Sequence, residues 1–168
     1  DSIDFILVDS NSSDNTLGIM LDFSQKIRAE SIKTEVYLIE GFCNAAIARN
    51  IILKNSTGDF VFFCDGDIEI KDNFIITASE KIIEGHADAV IGQLSEKWFD
   101  SDFKCYKTIP VRKIIAHEQF VRTGGGMILL SKEIVLSNIQ YDEQLRRNED
   151  RDFSLRVSDS FRILAIPT

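Results

Sequence analysis

The chain has 168 residues, 44% of them hydrophobic and 27% charged, the length and composition of one globular domain with a core to bury. A formal net charge of −8 and a pI near 4.8 exclude non-specific binding to nucleic acid or to an anionic membrane, because both need positive surface. The longest apolar runs are far shorter than a bilayer span and no charged-then-apolar leader precedes the first strand, so any membrane association is expected from parts outside this chain.

Residues 3–9 are apolar and rich in β-formers, and the Ser, Asn and Asp cluster at 10–15 cannot continue the strand, so a strand runs into a loop. Leu17, Met20, Leu21 and Ile27 recur at helical spacing before a second β-type run at 36–39. Ala45, Ala48 and Ile52 mark another helical face, residues 55–59 break it, and the continuously apolar run 60–64 reads as a strand buried on both faces. Phe74, Ile75, Ala78 and Ile82 predict a third helix and 87–94 the next strand. From 95 to 126 the pattern is irregular, with Trp98, Phe99, Phe103 and Tyr106 among charged residues, and loops with short strands are expected. Order returns with a strand at 127–130, a helix from about Asn148 through Phe153, Leu155 and Val157, and a last strand at 162–166. This alternation predicts a mainly parallel sheet with helices on its faces, in one domain spanning 1–168. Cys43, Cys64 and Cys105 are odd in number, far apart and lack zinc-site spacing, which reads them as buried or semi-buried thiols in a reducing, cytoplasmic setting. The chain has no initiator Met and opens almost directly on a strand, so it is expected to be part of something longer.

Asp65-Gly66-Asp67 follows the most apolar strand, and in open α/β sheets ligands bind at the carboxyl ends of strands. Two carboxylates one residue apart offer hard oxygen ligands to Mg²⁺ or Mn²⁺, and Gly66 lets the backbone approach a phosphate. The same tripeptide taken alone also reads as an ordinary Asp-Gly turn. Asn148-Glu149-Asp150-Arg151-Asp152 precedes a helix, where a carboxylate can serve as general base or merely complement the helix dipole. Arg49 can reach a diphosphate or lie along the surface. Trp98 can stack on a sugar or fill the core. Gly124-Gly125-Gly126 has neither the dinucleotide nor the P-loop spacing and reads as a flexible or closely packed bend. His86 is a solvated loop residue and His117 is ambiguous. With no other ligand at spacing, a histidine metal site is not expected.

The order of these signals carries more than any one of them. Residues 6–16, ILVDSNSSDNT, resemble the segment of family 2 glycosyltransferases in which a strand ends in Val-Asp-Asp-Gly-Ser-Thr-Asp-Gly-Thr. Residues 48–67, ARNIILKNSTGDFVFFCDGD, resemble the family's Ala-Arg-Asn helix, Gly-Glu/Asp turn, buried strand and Asp-x-Asp signature. Residues 125–133 resemble its Gly-rich stretch and strand before a short helix, and 141–156 its Phe-Asp-Glu, Glu-Asp-x-Asp-Leu and Arg pattern. The resemblance covers nearly the whole chain apart from 95–117. It implies a GT-A fold, the Rossmann-like three-layer sandwich of nucleotide-diphospho-sugar transferases. It further implies inverting transfer from a nucleoside-diphosphate sugar to a saccharide or glycolipid hydroxyl, assisted by Mn²⁺ or Mg²⁺.

Position by position, the resemblance assigns Asp9 to the nucleoside pocket, Arg49 to the neighbourhood of the diphosphate, Asp65 to the ribose and metal region, and Asp67 to the metal. Asp150 becomes the base, with Glu149 as the second candidate. Ser10 stands where the family has the second Asp of its Asp-Asp pair, which leaves uridine specificity open. Nothing matches the family's first, central strand, which is expected to be missing from this chain. Two rivals remain at the level of sequence. One is a haloacid-dehalogenase-type phosphatase with Asp65 as nucleophile, weakened by Glu69 where that motif wants Thr or Val. The other is a nucleotide-sugar-binding module without turnover, against which stands the retention of Asp67 and Asp150.

Overall fold

A computed structural model describes residues 2–71, 73–112 and 118–167, so His117 lies outside the described residues. In chain order the elements are β1 (Phe5–Asp9), α1 (Thr16–Ala29), β2 (Thr34–Leu38), α2 (Ala45–Asn55), β3 (Phe60–Phe63), α3 (Phe74–Ile83) and β4 (Ala89–Ile91). They continue with β5 (Leu94–Phe99), β6 (Cys105–Arg112), β7 (Gln119–Val121), β8 (Ile128–Ser131), α4 (Lys132–Leu136), α5 (Glu149–Ser158) and β9 (Ile163–Ala165).

The helices form where the apolar period predicts them, but two faces are rotated from the expected ones. On α1 the inward face runs through Leu17, Met20, Ser24 and Ile27, whereas Leu21 is exposed. On α2 the buried face is Ala46, Arg49 and Leu53 rather than Ala45, Ala48 and Ile52. A charged residue replaces an apolar one in that stripe, and this is possible because its guanidinium is paired inside the protein.

The central sheet has five strands in the order β3-β8-β4-β9-β7. β4 and β9 pair in parallel, while β8 runs antiparallel to both β3 and β4, and β7 runs antiparallel to β9. The expectation of a mainly parallel sheet is therefore corrected to a mixed one: β3, β4 and β9 share a direction, with reversed β8 inserted between the first two. β1 and β2 form a separate parallel pair, and β5 and β6 an antiparallel hairpin. The hairpin lies in the stretch whose sequence pattern is irregular. It buries no continuous face, and Trp98, Phe99, Phe103 and Tyr106 are all exposed on it.

Alternation along the strands splits the core into two layers of contact. Val61, Phe63, Ala89, Ile91, Ile128, Leu130, Ile163 and Ala165 face α2, α4 and α5 through Ala46, Leu53, Ile134, Phe153 and Val157. Val90, Leu129 and Leu164 face the other way, against Phe74 and Ala78 of α3. Helix, sheet and helix thus form three layers.

Phe153 is 1% exposed and its ring stacks on Tyr141 at 4.0 Å. Phe153→Ala is expected to lower unfolding free energy by about 3–5 kcal/mol in urea titration. Phe103→Ala, at an 88% exposed position, is expected to stay within about 0.5 kcal/mol of the parent.

Candidate functional site

α2 begins with a side-chain cap: the Asn44 carboxamide oxygen accepts from the Ile47 N–H at 2.9 Å, and its amide nitrogen donates to the Glu143 carbonyl at 2.8 Å. One residue therefore starts the helix and ties it to the segment leading into α5. Asn50, further along α2, does the same for Tyr141: it accepts from the Tyr141 N–H at 2.8 Å and donates to the Tyr141 carbonyl at 2.9 Å. Between them Arg49 points inward, 7% exposed.

The Arg49 guanidinium joins two segments that are far apart in sequence. Its Nη2 donates to Asp65 at 2.9 Å and 3.2 Å, and its Nη1 to Glu149 Oε1 at 2.7 Å. Its Cζ lies 5.5 Å from the centroid of the Tyr141 ring, a cation–π contact beneath the ion pairs. Burial by itself depresses the arginine's pKa, but the surrounding charges, Asp65 foremost, outweigh it and hold the group above its ordinary value. It carries its charge at every working pH.

Asp65 follows β3, and the antiparallel register of β3 with β8 sets the residues before β8 beside it: Phe63 pairs with Ile128. Gly126 lies in that approach. A β-carbon there would stand 2.1 Å from Asp65 Oδ2 and 3.1 Å from Arg49 Nη2, so only glycine leaves the carboxylate on its arginine. Gly124 is likewise packed, its virtual β-carbon 2.9 Å from Ser154 Oγ on α5. The triple glycine is a closely packed bend.

Asp67 is exposed, and Asp65 keeps 46% of its side chain open despite the ion pair. Both retain lone pairs for a ligand. Among the described residues no group of three or more His, Cys, Asp or Glu forms a protein-only cage. Two adjacent carboxylates suit Mg²⁺ or Mn²⁺ when phosphate oxygens of a substrate complete the coordination, so the residues present fit such an ion.

Asp150 is half-buried in the first turn of α5, its carboxylate accepting the Arg151 N–H at 2.8 Å and its carbonyl accepting from Ser154 Oγ at 2.6 Å. Asp152 is held apart by Arg156, which bridges it at 2.6 Å to the Gln140 carbonyl at 2.8 Å. Of the three acids in that turn, Glu149 is committed to Arg49 and Asp152 to Arg156, while Asp150 has no ion-pair partner among the described residues. Asn148 occupies the N-cap in a left-handed conformation and its side chain caps nothing.

Asp9 is buried at 2% and its carboxylate accepts from the Ser12 hydroxyl at 2.5 Å. The Ser10 carbonyl accepts from the Cys43 thiol at 2.9 Å, which ties this loop to the approach of α2. Arg49 thus brings Asp65 and Glu149 together directly, while Asp9 and Ser10 are linked to the same helix through Cys43. Asn44, Asn50 and Tyr141 are contributors to which residue-by-residue reading assigns no role, whereas Gly126 lies in the bend that it does single out. Only the spacing of Arg49 from Ala46 and Leu53 offers a signal that α2 turns a charge inward.

Residues 1–129 match the family model described as Glycosyl transferase family 2. The amylovoran biosynthesis glycosyltransferase AmsB of Erwinia amylovora is 27% identical over 93% of this chain and 54% of its own length. The glycosyltransferase GlyG of Streptococcus pneumoniae is 32% identical over 88% of this chain and 49% of its own. The chain therefore spans about half the length of these curated relatives. Among solved structures, S. aureus TarS 1-349 in complex with UDP-GlcNAc superposes with a TM-score of 0.74 at 22% identity, over 97% of this chain and 46% of that one. GalNAc-T7 with UDP, GalNAc and Mn²⁺ gives 0.71 at 16% identity, over 98% and 36%.

Removing the shared cation leaves Glu149, 14% exposed, and Asp65 without a counter-charge. Arg49→Met is expected to reduce unfolding free energy by about 3 kcal/mol, the lower end for breaking a buried pair because Asp65 is half-exposed. Arg49→Met/Glu149→Gln should recover part of that loss in the same denaturation experiment.

Proposed function

The chain belongs to glycosyltransferase family 2 and has the GT-A fold, and on that premise we propose that it moves a sugar from a nucleoside-diphosphate donor to an acceptor hydroxyl with inversion. The observation that carries this reading is the Arg49 bridge, which holds the loop bearing Asp65 and Asp67 against the helix start bearing Asp150. A sugar donor needs its diphosphate and its anomeric carbon met from different sides, and these two segments supply the two sides.

In this reading Asp67, with Asp65, would hold Mn²⁺ or Mg²⁺, and the chemistry supplied by such an ion would be neutralisation of the diphosphate leaving group. Asp150 takes the proton of the acceptor hydroxyl as that oxygen attacks the anomeric carbon from the face opposite the leaving diphosphate. One displacement follows, with no covalent sugar-enzyme intermediate. Glu149 is a weaker candidate for the base, since the Arg49 guanidinium donates to one of its carboxylate oxygens at 2.7 Å and occupies it. Arg49 sits at the donor end as an electrostatic brace.

Asp9 and the loop at 10–14 are assigned to the nucleoside. The UDP and UDP-GlcNAc complexes of the structural relatives make uridine the first base to try, although Ser10 leaves its recognition without a second carboxylate. The acceptor is a saccharide or glycolipid, and the relative AmsB is named for amylovoran biosynthesis. The phosphatase alternative falls with the family assignment. All three cysteines are free, Cys64 and Cys105 exposed rather than buried as expected and Cys43 half-buried, and free thiols support a reducing, cytoplasmic setting. Among the described residues no helix is long and apolar enough to cross a membrane. The separation of the β1–β2 pair from the central sheet supports completion of the domain by a strand from outside this chain.

Asp150→Asn in the full-length protein is expected to lower kcat by about 10²- to 10⁴-fold while donor affinity is retained. NMR of the product should give the anomeric configuration opposite to the donor's. Undiminished turnover by Asp150→Asn sinks the assignment of the base, and donor binding with no transfer or hydrolysis by the parent protein favours a non-catalytic module. Asp67→Asn is expected to abolish the Mn²⁺-dependent part of nucleoside-diphosphate binding in calorimetry.

A further inference from the structure

The strands of the β5–β6 hairpin pack on each other, and among the described residues no helix or other strand packs closely on either. A two-stranded ribbon is marginal by itself in water, yet this one exposes its large apolar side chains. Trp98, Phe99 and Tyr106 are exposed, and Phe103 is 88% exposed. Trp98 stands opposite Lys107 in the ladder, with the Lys107 ammonium 5.5 Å from the centroid of its ring. Phe99 is the next residue of an extended strand and therefore belongs to the other face, where Cys105 is its partner and Lys97 pairs with Glu69. Tyr106 sits in the bulge between those two rungs. Phe103 occupies the turn in a left-handed conformation, φ +57°, which a bulky side chain disfavours. Asp100 locks that turn, its carboxylate accepting from the backbone N–H of Asp102 at 3.0 Å and of Lys104 at 2.9 Å. The chain thus tolerates local strain to hold a phenyl ring in solvent.

A sugar ring or a folded partner meets one face of a ribbon, whereas here aromatic rings stand on both faces and at the turn. What satisfies such a tip is a medium that surrounds it. The interfacial layer of a bilayer does so: aromatic rings settle at headgroup depth, and lysines lay their stems along apolar surface while the ammonium stays among the phosphates. The local charge agrees. Between residues 96 and 107, Lys97, Lys104 and Lys107 offset Glu96, Asp100 and Asp102, so the hairpin tip is neutral in a chain whose net charge is −8. Lipid phosphates therefore do not repel it as they repel the rest of the surface, and no positive patch is needed. Seating at the interface also needs no apolar run of spanning length.

We propose that the β5–β6 hairpin is a membrane-docking element that seats Trp98, Phe99, Phe103 and Tyr106 in the interfacial layer of a phospholipid bilayer. This places membrane contact inside the chain, where the sequence pattern puts it outside. The Lys97–Glu69 ion pair ties the hairpin to the loop two residues past Asp67, so docking sets the candidate site at the lipid surface. That consequence rests on the glycolipid acceptor argued above. Docking itself does not, because vesicle binding is read without donor or acceptor and the two ideas fail separately.

The test is flotation of the full-length protein, Phe103→Asn and Trp98→Phe with phosphatidylcholine vesicles, using brominated phosphatidylcholine to quench tryptophan emission. The difference between parent and Trp98→Phe isolates the emission of Trp98. Asparagine tolerates the left-handed turn, so Phe103→Asn removes the ring and keeps the hairpin, which an unchanged melting temperature checks. If that variant melts lower, Phe99→Ser carries the same comparison. Brominated lipid should quench Trp98, and salt should not release the protein. Phe103→Asn should bind about tenfold more weakly, the loss of one buried ring, or lose the quenching of Trp98 where another part of the protein holds the vesicle. Trp98 emission untouched by brominated lipid overturns the proposal, as does Phe103→Asn matching the parent in both binding and quenching. Release by salt assigns the contact to charge and overturns it too. A dimer in sedimentation velocity that Phe103→Asn abolishes makes a second copy the occupant. A Trp98 reached by neither lipid nor acrylamide shows the rest of the protein covering the hairpin, and either result also overturns the proposal.

Discussion

A guanidinium taken out of water must find anionic partners, and Arg49 finds two, Asp65 after β3 and Glu149 at the start of α5. The local order around it follows from that requirement. Asp65 can reach the arginine only if the approach to β8 carries no side chain, which is why Gly126 is where it is. Glu149 can reach it only if α5 starts beside α2, and Asn44 and Asn50 fix that spacing by hydrogen bonds to Glu143 and Tyr141. Tyr141 then closes the arrangement from below, its ring shared between the cation above and Phe153 beside it.

The sheet explains why these pieces meet at one end of the molecule. β1 and β3 both deliver an aspartate at or just past their carboxyl ends, Asp9 and Asp65, and the reversed β8 begins beside the end of β3. Reversal thus serves the site: a parallel β8 would bring its last residue, not the glycine bend before it, to Asp65. The hairpin β5–β6 touches this region through the Lys97–Glu69 ion pair, two residues past Asp67. Its exposed aromatics are the part of the molecule least explained by packing.

Much of this was legible in the sequence, and the reason is periodicity. The strand at 60–64, the helices at α2, α3 and α5 and the last strand follow directly from apolar spacing, and the ordered motifs identified the family. What spacing cannot convey is the identity of a buried charge. The true inner stripe of α2 is Ala46, Arg49 and Leu53, and a reader who expects only apolar residues inside rotates the helix by one position. The mixed direction of the sheet was equally hidden, because a buried antiparallel strand such as Ile128–Ser131 is as continuously apolar as a parallel one. The hairpin registered only as loops with short strands, for the opposite reason: β5 buries almost nothing, so it carries no hydrophobic alternation from which its extent and pairing could be read. At the site, Asp65, Asp150 and Glu149 could be named from motifs, but their division of labour required coordinates. The sequence shows three acids in one turn of α5, and the positions of Arg49 and Arg156 distinguish the one left without a cation among the described residues.

The most direct test of the account is a crystal structure of the full-length protein with a nucleoside diphosphate and Mn²⁺. The account predicts the ion on Asp67 with Asp65, the diphosphate against them, and the Arg49 link to Glu149 intact beneath. A nucleotide seated away from residues 65–67, for instance in the 340 Å³ concavity lined by Asp59, Phe60 and Lys132, would contradict it.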